Sequence, residues 1–270
     1  MLRTLKLRFL TPFALSVLIL SGCAKKEEYI ERPVEIIYND AYDNFKNGSY
    51  GKAAPAFEEV ERQHPYSLWA IKSQLMAAFS YYADDKYDDA VIILDKFIAL
   101  RPGDKDIAYA HYLKSICFYE RISDVGRDQI MTELALKSFD ELIKRFPDSH
   151  YAKDANVKRN LVFDHLAGKE MEIGRFYLKK GQYTAALSRF TRVMNQYQKT
   201  THIEEALYRL VECYLALGIQ TEAKKIAAIL GHNYPASIWY RNAFDLIKSG
   251  NINPKYEPDS WWSRPWKHIL

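Results

Sequence analysis

The residues that could do chemistry in this 270-residue chain are three cysteines, seven histidines and one acidic stretch. No two histidines are spaced as a helical zinc pair, and neither a phosphate-binding glycine loop nor a Gly-x-Ser-x-Gly nucleophile turn is present. The acidic stretch Asp84-Asp85-Lys86-Tyr87-Asp88-Asp89 lacks the alternating oxygen ligands and downstream glutamate of a calcium loop. We interpret it as a solvated turn that caps the next helix. These patterns predict no enzymatic site, no metal and no cofactor.

Cys23 differs from the other two cysteines in what precedes it. Three basic residues in the first eight positions are followed by an apolar run, Leu10 to Leu20. The run is shorter than the about 20 residues of a bilayer span and fits a signal peptide. It ends in Leu20-Ser21-Gly22-Cys23, which resembles the lipobox of bacterial lipoproteins. That resemblance implies cleavage before Cys23 and acylation of its thiol. An uncleaved membrane anchor is the alternative.

We expect a covalent lipid on Cys23 and no cofactor. Two or more alkyl chains anchor a protein stably in a membrane. The lipoprotein resemblance also implies an address, because an aspartate after the cysteine retains many lipoproteins in the inner membrane. Here Ala24 follows, which favours the outer membrane. The expected divisions are a signal peptide at 1–22, a tether at 23–34, a repeat domain at 35–248 and a tryptophan-rich tail at 249–270.

The net charge bears on the kind of partner, and the remaining two cysteines bear on disulfide formation. The formal charge of +4 falls to about +1 when the basic signal peptide is removed, so we expect no nucleic-acid partner. Cys117 and Cys213 lie in apolar, helix-like surroundings, which favours buried free thiols. An oxidising periplasm would also permit a disulfide between them.

Five segments share an internal spacing that must reflect a structural repeat. An alanine is followed twelve residues later by proline, or by glutamine in the fourth copy. The pairs are Ala53 and Pro65, Ala90 and Pro102, Ala135 and Pro147, Ala186 and Gln198, and Ala223 and Pro235. Three copies have a tyrosine three residues before the alanine, and three have a phenylalanine four residues after it. These aromatics are Tyr50, Tyr87, Tyr183, Phe57, Phe139 and Phe190.

Each position of the repeat has a physical reason. Gly48 and Gly181 can end a helix in the left-handed conformation, the alanine allows two helices to cross closely, and the proline stops the second helix. The pattern resembles the tetratricopeptide repeat, with its 34-residue period. The observed alanine spacings of 37, 45, 51 and 37 indicate insertions. We predict an all-α fold, an α-solenoid of five degenerate tetratricopeptide repeats with a C-terminal capping helix.

The predicted helices follow the apolar periodicity. They pair as 35–47 with 50–64, 67–83 with 87–100, 105–121 with 131–145, 150–180 with 183–197, and 202–217 with 220–232, and a last helix near 236–248 covers the end. The stretch 150–180 is long for one repeat helix, and it either continues through Gly168 or breaks there.

The concave face of such a solenoid is formed by the first helix of each pair and suits an extended peptide. Tyrosines are abundant on these helices and offer contact area with little loss of entropy. The candidate groove residues are Tyr38, Tyr81, Tyr82, Tyr109 and Tyr112. The alternative for each is packing between repeats. In the tail, Trp261, Trp262 and Trp266 could dock on this protein, on a partner or at a membrane interface, and we favour docking on protein.

Several stretches together resemble the BamD (ComL) family of outer-membrane β-barrel assembly lipoproteins. They are Glu35-Ile-Ile-Tyr38, His64-Pro65-Tyr66-Ser67, Ala78-Phe-Ser-Tyr81-Tyr82, Leu94-Asp95-Lys-Phe97-Ile98-Ala-Leu100-Arg-Pro102 and Arg145-Phe146-Pro147-Asp-Ser149. The resemblance covers about residues 23–240. It implies a periplasmic scaffold, tethered by its lipid, that works with the other lipoproteins of the assembly machine.

The resemblance also implies partners and one contact residue. The N-terminal repeats would take the aromatic-ended targeting segment of unfolded outer-membrane β-barrel proteins, and the C-terminal repeats would hold the POTRA domain of BamA. The position that contacts this domain in the family matches Arg189, whose side chain could instead lie on a solvated helix face. A different periplasmic adaptor, coordinating cell-wall synthesis or envelope constriction, is the alternative function.

Overall fold

Residues 31–249 are described in a computed structural model of the chain, and every regular element among them is an α-helix. The helices are α1 (Val34–Lys46), α2 (Tyr50–Gln63), α3 (Leu68–Ala83), α4 (Tyr87–Leu100), α5 (Ile107–Tyr119), α6 (Ile130–Arg145), α7 (His150–Lys179), α8 (Tyr183–Gln196), α9 (Ile203–Ala216), α10 (Gln220–Asn233) and α11 (Ile238–Ser249). Their ends lie within two residues of the predicted ones. The predicted lipidation site Cys23, the signal peptide and the three tail tryptophans lie outside the described residues.

Consecutive helices pack as antiparallel pairs, and the pairs stack along one direction. Four groups of buried side chains follow one another along the stack: one from α1 to α3, one from α3 to α5, one from α5 to α7 and one from α7 to α11. The predicted all-α solenoid of tetratricopeptide repeats is confirmed. Between residues 31 and 249, none of the helices has the length and apolar content of a membrane span.

The repeat alanines lie where the helices approach most closely. All five are fully buried, and so are the phenylalanines one helical turn later, Phe57, Phe139 and Phe190. A larger side chain at the alanine positions would push the paired helices apart. The sequence repeat therefore records the packing of each pair.

The turn between the paired helices needs one residue with positive φ. Gly48, Gly181 and Gly218 take this conformation with φ between 69° and 76°, and each lies five residues before a repeat alanine. Asp85 occupies the same offset in the second repeat, with φ of 59°. A short acidic side chain tolerates this region better than most residues do. The first half of the acidic stretch is therefore the turn between α3 and α4, in which Asp84 pairs with Lys86 at 2.8 Å, and the second half belongs to α4. The predicted side-chain cap is not formed, since Lys86 at the N-cap position makes no capping hydrogen bond.

Helix α7 is continuous for 30 residues, so it does not break at Gly168. Its first half contributes Ala155 and Val162 to the core shared with α5 and α6. Its second half contributes Ala167 and Met171 to the core shared with α8 to α11. The long spacing of 51 between the third and fourth repeat alanines reflects this extension of one helix, because it exceeds the 37-residue spacing by about four helical turns.

Both described cysteines are buried free thiols, as predicted. Cys117 belongs to the core of α3 to α5 and Cys213 to the core of α7 to α11. Burial raises the pKa of each thiol to about 12, which keeps both protonated at neutral pH.

Candidate functional site

An open groove of about 530 Å³ runs along the first helices of successive pairs, α1, α3, α5 and α7. We call it the aromatic groove, because six rings line it. They are Tyr38, Tyr42, Phe45, Phe79, Tyr109 and Tyr151. Tyr38 is 4% exposed, whereas Tyr42 is 36% exposed and the other four rings are half-buried. Five of the six rings therefore keep surface that a ligand could cover.

The rings of the N-terminal side form one connected row. The Tyr38 and Tyr42 rings lie 6.1 Å apart with planes 17° apart, and the Tyr42 and Phe45 rings also lie 6.1 Å apart, with planes 8° apart. Phe45 then meets Phe79 of α3 at 5.8 Å. The positions 38, 42 and 45 repeat at helical spacing, so they share one face of α1. This row offers a continuous apolar surface with fixed ring orientation.

The second part of the groove is built where α5 meets α7. Tyr151 lies 5.6 Å from Tyr109 and 5.1 Å from Tyr112, measured between ring centroids. The Tyr112 hydroxyl donates a hydrogen bond of 2.6 Å to Asp154. Burial, then the Asp154 carboxylate, raises the pKa of Tyr112 above the ordinary tyrosine range. Tyr112 therefore packs against the Tyr151 ring while Asp154 fixes the position of its hydroxyl.

Two charges border the aromatic groove. The Lys72 ammonium lies over the Tyr38 ring, 5.2 Å from its centroid, and Asp106 precedes the first turn of α5. A cation at this distance is attracted by the face of the ring. The aromatic groove therefore combines apolar surface with one positive and one negative side chain.

Of the five predicted groove tyrosines, Tyr38 and Tyr109 line the aromatic groove. Tyr112 lies beside it, bonded to Asp154. Tyr81 points to α2, where burial and the neighbouring Glu58 raise its pKa to about 12. Tyr82 packs between Phe79 and Tyr87, with ring centroids 5.9 Å away on both sides. Neither of these two residues lines the aromatic groove, since each packs against the second helix of a pair.

Sequence reasoning missed four of the lining rings: Tyr42, Phe45, Phe79 and Tyr151. The spacing of Tyr38, Tyr42 and Phe45 was visible as a stripe on α1 and could have revealed two of them. Tyr151 joins the groove through the packing of α7 beside α5, for which the sequence carries no local signal.

Arg189 does not lie free on a helix face. It and Arg192, both on α8, share the carboxylate of Glu170 on α7. The Arg192 Nη1 atom lies 2.8 Å from Glu170 Oε1, and the Arg189 Nη1 atom lies 3.2 Å from Oε2. The Glu170 side chain is 10% exposed, whereas those of Arg189 and Arg192 are 36% and 51% exposed. We call these two residues the arginine pair. Their charge exceeds that of the buried carboxylate they share.

A second set of charges, which we call the ion-pair cluster, joins α7 to α9. Arg175 forms a two-point contact with Glu205 at 2.9 and 2.8 Å. Arg209 contacts Glu205 at 3.2 Å and Glu212 at 2.8 Å. Burial raises the pKa of Glu205, but the hydrogen bonds and charges of Arg175 and Arg209 outweigh it, and the pKa lies below the ordinary value. These four groups satisfy one another inside the protein.

Residues 31–249 hold no group of three or more side chains of the types that could bind a metal ion. His111 is buried and His202 is half-buried, and the pKa of each imidazole is lowered mainly by desolvation. A neutral imidazole in each place fits the packing role that their surroundings indicate.

Comparison with known proteins gives a consistent relationship. Residues 31–229 match the family described as YfiO, outer membrane lipoprotein. Outer membrane protein assembly factor BamD of Caulobacter vibrioides is 46% identical over 88% of this chain and 80% of its own length. The BamD of Rickettsia prowazekii is 47% identical over 86% of this chain and 93% of its own length.

A more distant relative and a solved structure extend the comparison. BamD of Neisseria meningitidis serogroup A is 32% identical over 92% of this chain and 94% of its own. Among solved structures, the TPR domain of P58(IPK) matches 80% of this chain and 56% of its own, with a TM-score of 0.41 and 18% identity.

Proposed function

Because this chain belongs to the BamD (YfiO) family of outer-membrane lipoproteins, we propose that it is a lipid-anchored periplasmic scaffold of the outer-membrane β-barrel assembly machine. The family consists of assembly factors and not of enzymes, and it acts in outer-membrane protein assembly. The further steps of the proposal concern what each part of the chain binds.

We propose that the aromatic groove takes the aromatic-ended targeting segment of unfolded β-barrel proteins. The observation that carries this step is the set of six rings, contributed by four helices and meeting in one open groove. Rigid aromatic rings lose little entropy when they are covered, and an aromatic side chain of a peptide can stack on them at 4.5–7 Å. Tyr42 is 36% exposed and is therefore more accessible to a peptide than Tyr151, which is half-buried.

The test of this step uses Tyr42→Ala combined with Tyr151→Ala. We expect binding of a labelled peptide with a C-terminal phenylalanine to weaken about tenfold or more, because buried aromatic anchors dominate such interfaces. Fluorescence anisotropy of the full chain in mild detergent measures the dissociation constant. Tyr66→Ala is the matched control, since Tyr66 is fully exposed and lies in the turn between α2 and α3. Equal affinity of the double variant and the control would reject the groove.

We propose that Arg189 of the arginine pair receives an acidic segment of the POTRA domain of BamA. Two guanidinium groups share one buried carboxylate, so donors and positive charge remain for a partner on the α8 surface. Arg189 makes the longer contact with Glu170, at 3.2 Å against 2.8 Å for Arg192, and so is held less tightly within the protein.

A matched pair of substitutions separates partner binding from internal support. Arg189→Gln and Arg192→Gln each remove one ion pair to Glu170, so their effects on the fold should be similar. We expect only Arg189→Gln to reduce the amount of BamA that co-purifies. An equal reduction by both variants would show that the loss acts through Glu170 and would refute a direct role for Arg189.

We also propose that acylated Cys23 holds the protein at the outer membrane and that residues 24–33 connect it to α1. Membrane fractionation of Cys23→Ser tests this anchor, with unprocessed precursor or soluble protein as the expected result. Normal processing together with unchanged membrane association would contradict it. The proposed accessory lipoprotein partners follow from the family and would be identified by mass spectrometry of the purified complex.

A further inference from the structure

A second open groove, of about 590 Å³, lies at the opposite end of the stack from α1, between α10 and α11. We call it the end groove. Its wall combines small residues of α10 with large apolar residues of α11. They are Ala227, Ala228, Gly231, Tyr240, Phe244 and Ile247. Its volume falls in the range of ordinary ligand pockets. The function proposed above makes no use of it.

The end groove lies at a position of α11 that is covered at the corresponding position of α3. Both helices begin within a Ser-x-Trp stretch, directly after Ser67 and Ser237. Seven residues later stand Gln74 and Phe244. Gln74 is 2% exposed, whereas Phe244 is 53% exposed.

The cover over Gln74 comes from neighbouring elements on both sides of α3 in the sequence. Its side-chain amide is hydrogen-bonded to Glu61 at the end of α2 and to Arg101, which directly follows α4. Within residues 31–249 no helix follows α11. Chain beyond Ser249 is covalently attached to α11, so it can supply a side chain in the place of Arg101.

The segment that follows α11 has the composition and reach to do this. It leaves the last turn beside Ile247 and Lys248, which line the end groove. Trp261 stands twelve residues after Ser249, a reach of up to about 40 Å, and α10 is only about 21 Å long. Two lysines at the groove, Lys224 and Lys248, can lie against an indole face.

We propose that the tryptophan segment of this chain, residues 261–266, covers the end groove and completes the stack. Large aromatic side chains are suited to this surface, since each can bury 150–250 Å². The segment then covers α11 as Arg101 covers α3. Its contacts are apolar and not polar, because Phe244 stands at the position that corresponds to Gln74. This proposal does not depend on the binding partners proposed above.

The test places the photoreactive residue p-benzoylphenylalanine at position 262 of the full chain in mild detergent. Equal amounts of isotopically light and heavy protein are mixed before irradiation. We expect crosslinked peptides that join position 262 to α10 or α11, with light joined only to light and heavy only to heavy. Mixed pairs would indicate a second copy, and crosslinks to lipid, detergent or another protein would indicate another occupant. Each of these results would overturn the proposal.

Two variants of α11 control for the position of the contact. Phe244→Arg should lower the crosslink yield about tenfold, because it places a charge in an apolar groove. Ile238→Arg should leave the yield unchanged, because Ile238 is similarly exposed, at 58% against 53%, but does not line the end groove. Circular dichroism verifies that both variants keep their helical content. Equal yields in the two folded variants would overturn the proposal.

Hydrogen exchange provides a second readout without an introduced probe. Replacing Trp261, Trp262 and Trp266 by alanine should speed amide exchange in α10 and α11 several-fold, since their cover is lost. Exchange in α1 and α2 should stay the same, because these helices lie at the other end of the stack. Unchanged exchange in α11 would contradict the proposal.

Discussion

In the N-terminal half, the rings of Tyr42 and Tyr109 line an open groove, whereas in the C-terminal half the guanidinium of Arg209 is enclosed between two carboxylates. Arg209 also lies over the rings of Tyr208 and Trp239, at 5.3 and 5.6 Å. The same repeat thus supports two uses of its first helices. One leaves contact surface unused, as a binding site must, and the other uses its contacts to hold α7, α9 and α11 together.

The arginine pair stands between these two cases. It is anchored on a buried carboxylate, like the ion-pair cluster, and yet it keeps exposed donors, like the aromatic groove. Exposure alone therefore does not identify a binding residue. What distinguishes one is the interaction capacity that the protein itself does not use.

We expect the largest loss of stability when Arg209, the centre of the ion-pair cluster, is replaced. Arg209→Met should lower the free energy of unfolding by about 3–5 kcal/mol, because it leaves buried Glu212 without its cationic partner and Glu205 with Arg175 alone. Urea unfolding followed by circular dichroism measures this change. Lys225→Met is the control, since its pair with Glu222 is 62% and 42% exposed and is worth less than about 1 kcal/mol. A loss as small as that of the control would show that the cluster does not support the fold.

Alanine substitution of Gly174 and of Gly51 would measure how tightly each half of the protein is packed. In the C-terminal half, a Cβ on Gly174 would lie 2.4 Å from the ring of Phe190, which is fully buried and cannot move aside. Gly174→Ala should therefore cost about 1–3 kcal/mol. In the N-terminal half, a Cβ on Gly51 would lie 2.8 Å from the end of the Asp84 side chain, which can rotate.

Gly51→Ala should therefore be close to neutral, because the gain of about 0.8–1 kcal/mol in helix propensity offsets the shift of Asp84. Thermal unfolding of both variants measures the difference. If Gly51→Ala were as destabilising as Gly174→Ala, the two halves would be equally rigid at these contacts.

The smallest effects come from two hydroxyls at the aromatic groove. Tyr112→Phe removes the hydrogen bond to Asp154 and should cost about 0.5–1.5 kcal/mol at neutral pH. Tyr38→Phe should cost nothing or stabilise slightly, because the Tyr38 hydroxyl is buried without a hydrogen-bond partner. Equal costs for the two substitutions, measured by urea unfolding, would contradict this assignment.

The loss of stability caused by Tyr112→Phe should depend on pH. The hydrogen bond from Tyr112, followed by the contacts of Lys158, holds the pKa of Asp154 below its ordinary value. A lowered carboxyl pKa stabilises the fold above the unfolded value of about 3.9, and this contribution is lost as the pH falls through the folded value. The difference between wild type and Tyr112→Phe should therefore be full at neutral pH and shrink below about pH 4.

The sequence predicted the helices well, because the repeat alanines, the prolines and the apolar spacing each report a local constraint. It predicted the groove only in part. A tyrosine on a first helix can turn to the groove, as Tyr109 does, or to the second helix of a pair, as Tyr81 does, and this choice depends on a few tens of degrees of helix rotation. The pairing of Arg175 with Glu205 joins residues 30 positions apart and has no local signature. The continuity of α7 also depended on packing at both of its ends.

Helix α7 has a consequence for how the protein unfolds. A chain of repeats behaves as a row of units coupled only to their neighbours, and it can separate at its weakest junction. Here the middle junction is a single unbroken helix that belongs to two cores. Melting of either core would therefore strip the other of part of its own packing, and the row should lose its two halves in one cooperative transition. A load applied between the N-terminal and C-terminal ends of the stack would likewise cross this junction through the backbone hydrogen bonds of α7 and not through a loop.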